Sequence, residues 1–138
     1  MNEASLRISL QVKLGNLDYQ SRPTAFNADV SVARGPTPGE LNVSKFGTDV
    51  DLSLFTVPGL VWMQNMDTVN FVEYGVWNGS LFFPLGELLP GEFFALRLSR
   101  NIGKDYTNTG TGITGTINKL RLKANTANSL VRVEVFEK

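Results

Sequence analysis

Asp49 and Asp51 flank Val50, so on a strand both carboxylates share one face, as an acid pair or a hard-cation site would require. The same alternation with Val50, Leu52 and Leu54 makes that face simply the solvated one, and this is the stronger reading. Ser44-Lys45 supplies the residue types of a serine–lysine dyad, but adjacent strand residues point to opposite faces and no oxyanion-hole motif accompanies them. Gly110-Thr111-Gly112-Ile113-Thr114-Gly115 matches G-x-G-x-x-G literally. The dinucleotide fingerprint needs a strand before it, a helix after it and an acid about twenty positions on. Here a loop precedes and a strand follows, and Glu134 sits between Val133 and Val135 in the last strand, so a flexible loop accounts better for these glycines. Arg97, Arg100 and Lys104 form a small basic cluster that reads as a solvated edge. The sequons at Asn42 and Asn78 carry weight only in a secreted chain.

The composition narrows the chemistry further. The 138 residues contain no histidine and no cysteine, which removes imidazole bases, thiol nucleophiles, disulfides and the usual zinc or copper ligand sets. No cofactor or metal is expected. Thirteen acidic and thirteen basic residues cancel, so no basic field favours nucleic acid. The N-terminal MNEASLRISLQ lacks a basic start followed by an apolar core, and no run approaches the roughly 18 apolar residues of a membrane span, so neither a signal peptide nor a membrane partner is expected.

The elements that would position these residues are strands. Leu6, Ile8, Leu10, Val12 and Leu14 alternate with polar residues, the two-residue period of a strand with one buried face. A second alternation runs through Phe26, Ala28, Val30 and Val32 and is ended by the Pro- and Gly-rich RGPTPGE. Short strands are expected at Leu41–Val43 and through Val50, Leu52 and Leu54. Turns are expected at Pro58-Gly59, Asp67-Thr68 and Pro90-Gly91, and a type I′ hairpin at Asn78-Gly79. Phe93–Leu98 follows, then an irregular loop over 99–116, then Ile117–Lys123 and Leu130–Phe136 joined by NTANS. No window holds helical spacing beyond about two turns. The expected fold is all-β: one domain over 1–138, an antiparallel β-sandwich of jelly-roll type with about nine or ten strands.

Leu60–Leu98 is the unusual segment. From Val69 to Trp77 one face carries Val69, Phe71, Glu73 and Trp77 and the other Asn70, Val72, Tyr74 and Val76, so both are largely apolar. Nine of the fourteen aromatic residues fall between Phe55 and Phe94, more than one core layer requires. Either a second sheet and loops cover both faces, or one aromatic face meets another protein. Trp62, Phe71, Tyr74, Trp77 and Phe82 are the candidate interface residues.

The order of parts runs from Asn65-Met66-Asp67 to Val69-Asn70-Phe71-Val72-Glu73-Tyr74-Gly75, to Phe83-Pro84, to Leu89-Pro90-Gly91-Glu92 and Phe93-Phe94-Ala95-Leu96-Arg97-Leu98, and ends with Ala124-Asn125-Thr126-Ala127 before Leu130–Phe136. This order resembles small structural proteins of tailed bacteriophages. Met66 and Phe71 stand where leucine and tyrosine are expected. The resemblance spans about the last eighty residues outside the 99–116 loop and matches turn chemistry, not catalytic positions. It implies a virion component assembled in the host cytoplasm. A capsid decoration or cement protein is the favoured role: a homo-oligomer, a trimer by preference, clamping the major capsid protein lattice. A tail, neck or fibre component, or a carbohydrate- or receptor-binding module of the virion, is the alternative. An enzyme such as a glycan hydrolase is disfavoured by the missing histidine and by the lack of an acid pair with a general-acid environment.

Overall fold

A computed structural model describes residues 2–30, 36–103, 105–108 and 113–138. Among these there is no helix, and hence none long and apolar enough to cross a membrane. Fourteen strands run in the order β1 (Asn2–Leu6), β2 (Leu10–Leu14), β3 (Leu17–Ser21), β4 (Phe26–Val30), β5 (Thr37–Val43), β6 (Thr48–Asp49), β7 (Pro58–Asn65), β8 (Val72–Trp77), β9 (Phe82–Leu88), β10 (Phe93–Arg97), β11 (Asp105–Asn108), β12 (Ile113–Ile117), β13 (Lys119–Ala124) and β14 (Ser129–Glu137). All pairings are antiparallel.

Eight strands form an antiparallel β-sandwich, as the alternation predicts. One sheet has the order β10-β7-β14-β5 and the other β6-β13-β8-β9. Alternation decides what faces inward: Val131, Val133 and Val135 of β14 and Val61 and Met63 of β7 from the first sheet, Leu120, Leu122 and Ala124 of β13 and Val72 of β8 from the second. These join in one buried cluster, and each such side chain contributes about 1.5–3 kcal/mol when fully removed from water. Because β9 runs into β10 through the Leu89–Glu92 turn, the two sheets end on the same side, with β9 and β10 as adjacent edge strands. That turn is type II: Pro90 presets its first central position, Gly91 takes φ +79° at the second, and the Glu92 N–H donates to the Leu89 carbonyl at 3.0 Å.

Several local expectations change. Pro58-Gly59 does not turn the chain but opens β7, where Pro58 stands at the first strand position and needs no ladder donor. Thr37-Pro38-Gly39 belongs to β5 instead of a turn, because β5 is an edge strand and tolerates proline. The strand expected through Val50, Leu52 and Leu54 is not formed: the two-residue β6 ends before it at Asp49, and from there Val50 is buried while Leu54 is exposed. At Asn78-Gly79 no non-glycine residue takes positive φ, so the turn is not type I′. Instead the Asn78 side chain accepts from the Ser80 and Leu81 amides at 3.0 and 2.8 Å and closes a four-residue loop.

The 99–116 segment, expected as an irregular loop, contains β11 and the start of β12, paired with each other. Residues 104 and 109–112 lie outside the described residues, and with them Lys104 and the first half of the glycine motif. The N-terminal alternation is a strand pattern, but not one strand with a buried face. It splits into β1 and β2, and the chain turns at Gly15-Asn16, so that β2 pairs with β3 and β1 with β4 in a nested two-stranded ribbon. The two-residue glycine–asparagine turn is the overlooked hairpin signal. Residues 7–20 are exposed throughout.

Candidate interaction surfaces

The acids that could suggest chemistry are engaged separately. Asp49 receives Arg121 Nε and, at 3.2 Å, Lys119 Nζ. Partial burial pushes its carboxyl up, but the hydrogen bonds and charges of these cations outweigh that and hold it below the ordinary range. Asp51 is lowered by its hydrogen bonds with Ser53, whose amide lies 2.9 Å away. Both acids are therefore tuned toward the carboxylate, opposite to a general acid at neutral pH. Ser44 Oγ accepts from the Phe46 amide at 3.1 Å, and Lys45 Nζ lies over the Phe46 ring instead of the hydroxyl. Among the described residues no group of three or more acids could hold a metal ion.

Asp67 caps the β7–β8 turn. Its Oδ1 accepts from the Val69 and Asn70 amides at 2.7 and 2.8 Å, which lowers the carboxyl to about 2. A depressed folded-state pKa adds stability that is complete above the unfolded value near 3.9 and vanishes as pH falls toward 2. Asp67→Ala should therefore be less stable than the parent at pH 6 by urea denaturation, with the difference narrowing between pH 4 and about pH 2. A difference that stays constant across that range would contradict this account.

The five aromatic candidates are all half-buried and do not form one patch. Trp62 lies on the outer face of the first sheet, its ring 6.1 Å from that of Phe93 on β10. Trp77 lies on the outer face of the second sheet, opposite Phe82 across the β8–β9 pair, and Arg121 covers its ring at 3.8 Å while also holding Asp49. That cation–π contact fills the face a sugar or partner would use. Phe71 precedes β8, and its carbonyl accepts from the Asn125 amide at 3.2 Å. Tyr74 points inward: its ring lies over Gly86 of the neighbouring strand and stacks on Phe94 of the other sheet at 5.9 Å and 19°. It thus closes the sandwich at the end where β9 and β10 meet.

Two exposed apolar surfaces emerge from this geometry. The first is the seam formed by the edge strands β9 and β10 of the two sheets and the turn that joins them, where Leu81, Phe83, Leu85, Leu89, Phe93 and Phe94 remain open, Leu85 to 68% and Phe93 to 67%. Leu85 is turned out by a bulge, since Tyr74 pairs with Gly86 and Gly75 with Pro84, leaving Leu85 between them. The second is one face of the N-terminal ribbon. The β2–β3 register places Leu10, Val12, Leu14, Leu17 and Tyr19 together and Gln11, Lys13, Asp18 and Gln20 opposite, and Leu14 at the tip is 77% exposed. The exposed apolar residues that sequence reasoning did not single out are those of the seam and the ribbon. Alternation marks them as apolar, but only the strand order shows that they stay exposed among the described residues.

Comparison of the sequence with family models and with curated proteins, and of the fold with solved structures, finds no match.

Proposed function

We propose that the chain is a non-enzymatic structural protein of a tailed-bacteriophage virion, a capsid decoration or cement protein. In this reading it self-associates, by preference as a trimer, and clamps neighbouring major capsid proteins. The observation that carries the reading is the pair of apolar surfaces a single copy leaves in water, the β9–β10 seam and the ribbon face. Contiguous exposed apolar surface of this kind marks protein interfaces, and edge strands left open invite pairing with another chain. The turn residues of the sandwich supply the resemblance to virion proteins, and charge neutrality lets copies sit close on a lattice.

The test is co-sedimentation with empty capsids of a tailed phage. The protein should travel with the shells and raise their disassembly temperature. At a free concentration a hundredfold above its dissociation constant, linkage stabilises each occupied site by about 2.7 kcal/mol. Binding to host cells or to glycans without binding to shells would replace this reading with a tail, fibre or receptor-binding role. The pair of half-buried Trp62 and exposed Phe93 is the feature that role would use.

A further inference from the structure

We propose that two copies of the chain pair through β10, antiparallel and about a two-fold axis at Ala95, so that the β10-β7-β14-β5 sheets of both copies run on as one. The inference rests on the self-association part of the proposed function and gives it a two-fold contact; a trimer needs a further contact elsewhere.

Hydrogen bonding within the first sheet determines which groups of β10 are open. The Leu98 N–H donates to the Gly59 carbonyl at 2.8 Å, and the Glu92 carbonyl accepts from the Asn65 N–H at 2.9 Å, so at both positions the backbone points to β7. Antiparallel ladders alternate, so Phe94 and Leu96 also point to β7, while the N–H and C=O groups of Phe93, Ala95 and Arg97 point away from the sheet. The other three edges of the sandwich are blunted. β5 carries Pro38 and has Gly39 at φ +89°, β6 is two residues long, and β9 carries Pro84 and the bulge at Leu85. β10 has no proline, glycine, lysine or acid, and it pairs with β7 without a register shift. It is the edge fit for pairing.

Its sequence is also complementary to itself. With the axis at Ala95, every outward N–H and C=O of β10 finds a partner, because Phe93 faces Arg97 of the second copy and Ala95 faces its own counterpart. The β7 register puts Phe93, Ala95 and Arg97 on the outer face with Trp62. There Arg97, which has no ion pair among the described residues, meets the exposed Phe93 ring as a cation–π pair instead of a second Arg97. On the inner face the open Phe94 meets Leu96, which packs against the core. The small Ala95 at the axis lets the two backbones approach beside Trp62, which stands opposite it on β7. A second copy supplies this match by symmetry alone.

The axis residue gives the test. Ala95→Glu and Ala95→Lys, each alone, set like charges against each other and should raise the self-dissociation constant about fivefold in sedimentation, whereas a mixture of the two variants should associate at least as well as the parent. Ala95→Pro removes a donor that β7 does not use, and should raise the constant about thirtyfold with the sandwich still folded. By hydrogen exchange, the Phe93, Ala95 and Arg97 amides of the parent should slow as concentration rises, while those of Phe94 and Leu96 stay slow throughout. An oligomer in which the Phe93, Ala95 and Arg97 amides exchange fast, and which the Ala95 variants leave unchanged, would overturn the β10 contact and leave self-association standing. Slow exchange of these amides in a monomer would place a segment of the same chain, such as the N-terminal ribbon, on β10 and overturn it too. A chain that stays monomeric at about millimolar concentration, with these amides fast, would overturn both readings.

Discussion

Replacing Asn65 by leucine is expected to destabilise the protein by about 3 kcal/mol, because it strips partners from buried or half-buried backbone groups at about 1–3 kcal/mol each. Asn65 is fully buried at the end of β7, where its neighbours in the alternation are Val61 and Met63. Its Nδ2 donates to the carbonyl of Asn70 at 2.8 Å and to that of Leu88 at 3.0 Å, and its Oδ1 accepts from the Asp67 amide at 3.0 Å. Its backbone is tied as well, donating to the Glu92 carbonyl and accepting from the Gly91 amide. Asn65 therefore links the β7–β8 turn and the end of β9 through its side chain and the β9–β10 turn through its backbone. Leucine fills similar space but leaves the Leu88 carbonyl without its donor in a dry site. Thermal melting should fall by about 10 °C for a chain of this size. Asn65→Asp is the sharper control: it keeps the acceptor for Asp67 but turns a carboxylate oxygen toward two carbonyls. Burial and that repulsion raise the introduced carboxyl, so the variant should lose further stability as pH rises above the unfolded value of about 3.9, whereas the leucine variant should not. A leucine variant within 1 kcal/mol of the parent by urea denaturation would show that water, not Asn65, satisfies these groups.

Asn65 also shows where sequence reading stops. A lone asparagine at an inward position of an alternating strand cannot be told from a solvated one until the partner carbonyls are placed, and those come from residues 70 and 88. The strands themselves were legible because their side-chain period is two. Leu130–Phe136 alternates cleanly, the strand expected over Ile117–Lys123 divides at residue 118 between the end of β12 and β13, and sorting Val69–Trp77 into two faces puts Val72, Tyr74 and Val76 together on the side that faces the core. Period says that a face is apolar and not what lies on it. The alternation from Leu6 to Leu14 therefore predicts a half-buried strand, yet its apolar residues from Ile8 onward lie in the open on the ribbon. The candidate aromatics scattered for the same reason: Tyr74 went to the seam end of the core, Trp77 beneath Arg121, and Trp62 beside Phe93 on the opposite sheet. Cation–π and cross-sheet pairs join residues tens of positions apart, a distance over which local spacing carries no information.

Gly75→Ala is expected to cost about 3 kcal/mol, at the upper end of overpacking effects, through backbone and not side-chain contacts. A Cβ at Gly75 would lie 2.0 Å from the Phe83 carbonyl oxygen, 2.8 Å from its carbon and 2.9 Å from Pro84 Cα. Gly75 sits where the β8–β9 register shifts, and the bulge at Leu85 draws β9 tightly across β8 at that point. None of the three clashing atoms can rotate away, so β9 itself must move. As an edge strand it can do so, and the result should be a loosened seam in place of a collapsed core. Hydrogen exchange of the β9 amides should quicken while those of β14 stay protected, and self-association should weaken together with stability. Gly86→Ala is the built-in comparison. There the three nearest atoms to the Cβ all belong to the Tyr74 side chain, with Oη at 2.3 Å, and a tyrosine can swing aside at the expense of its stack on Phe94. The loss should be about 1 kcal/mol, the value of an aromatic pair, and confined to the seam. Equal losses for the two variants would mean that β9 yields as easily as a side chain, and that the bulge does not hold the edge in place.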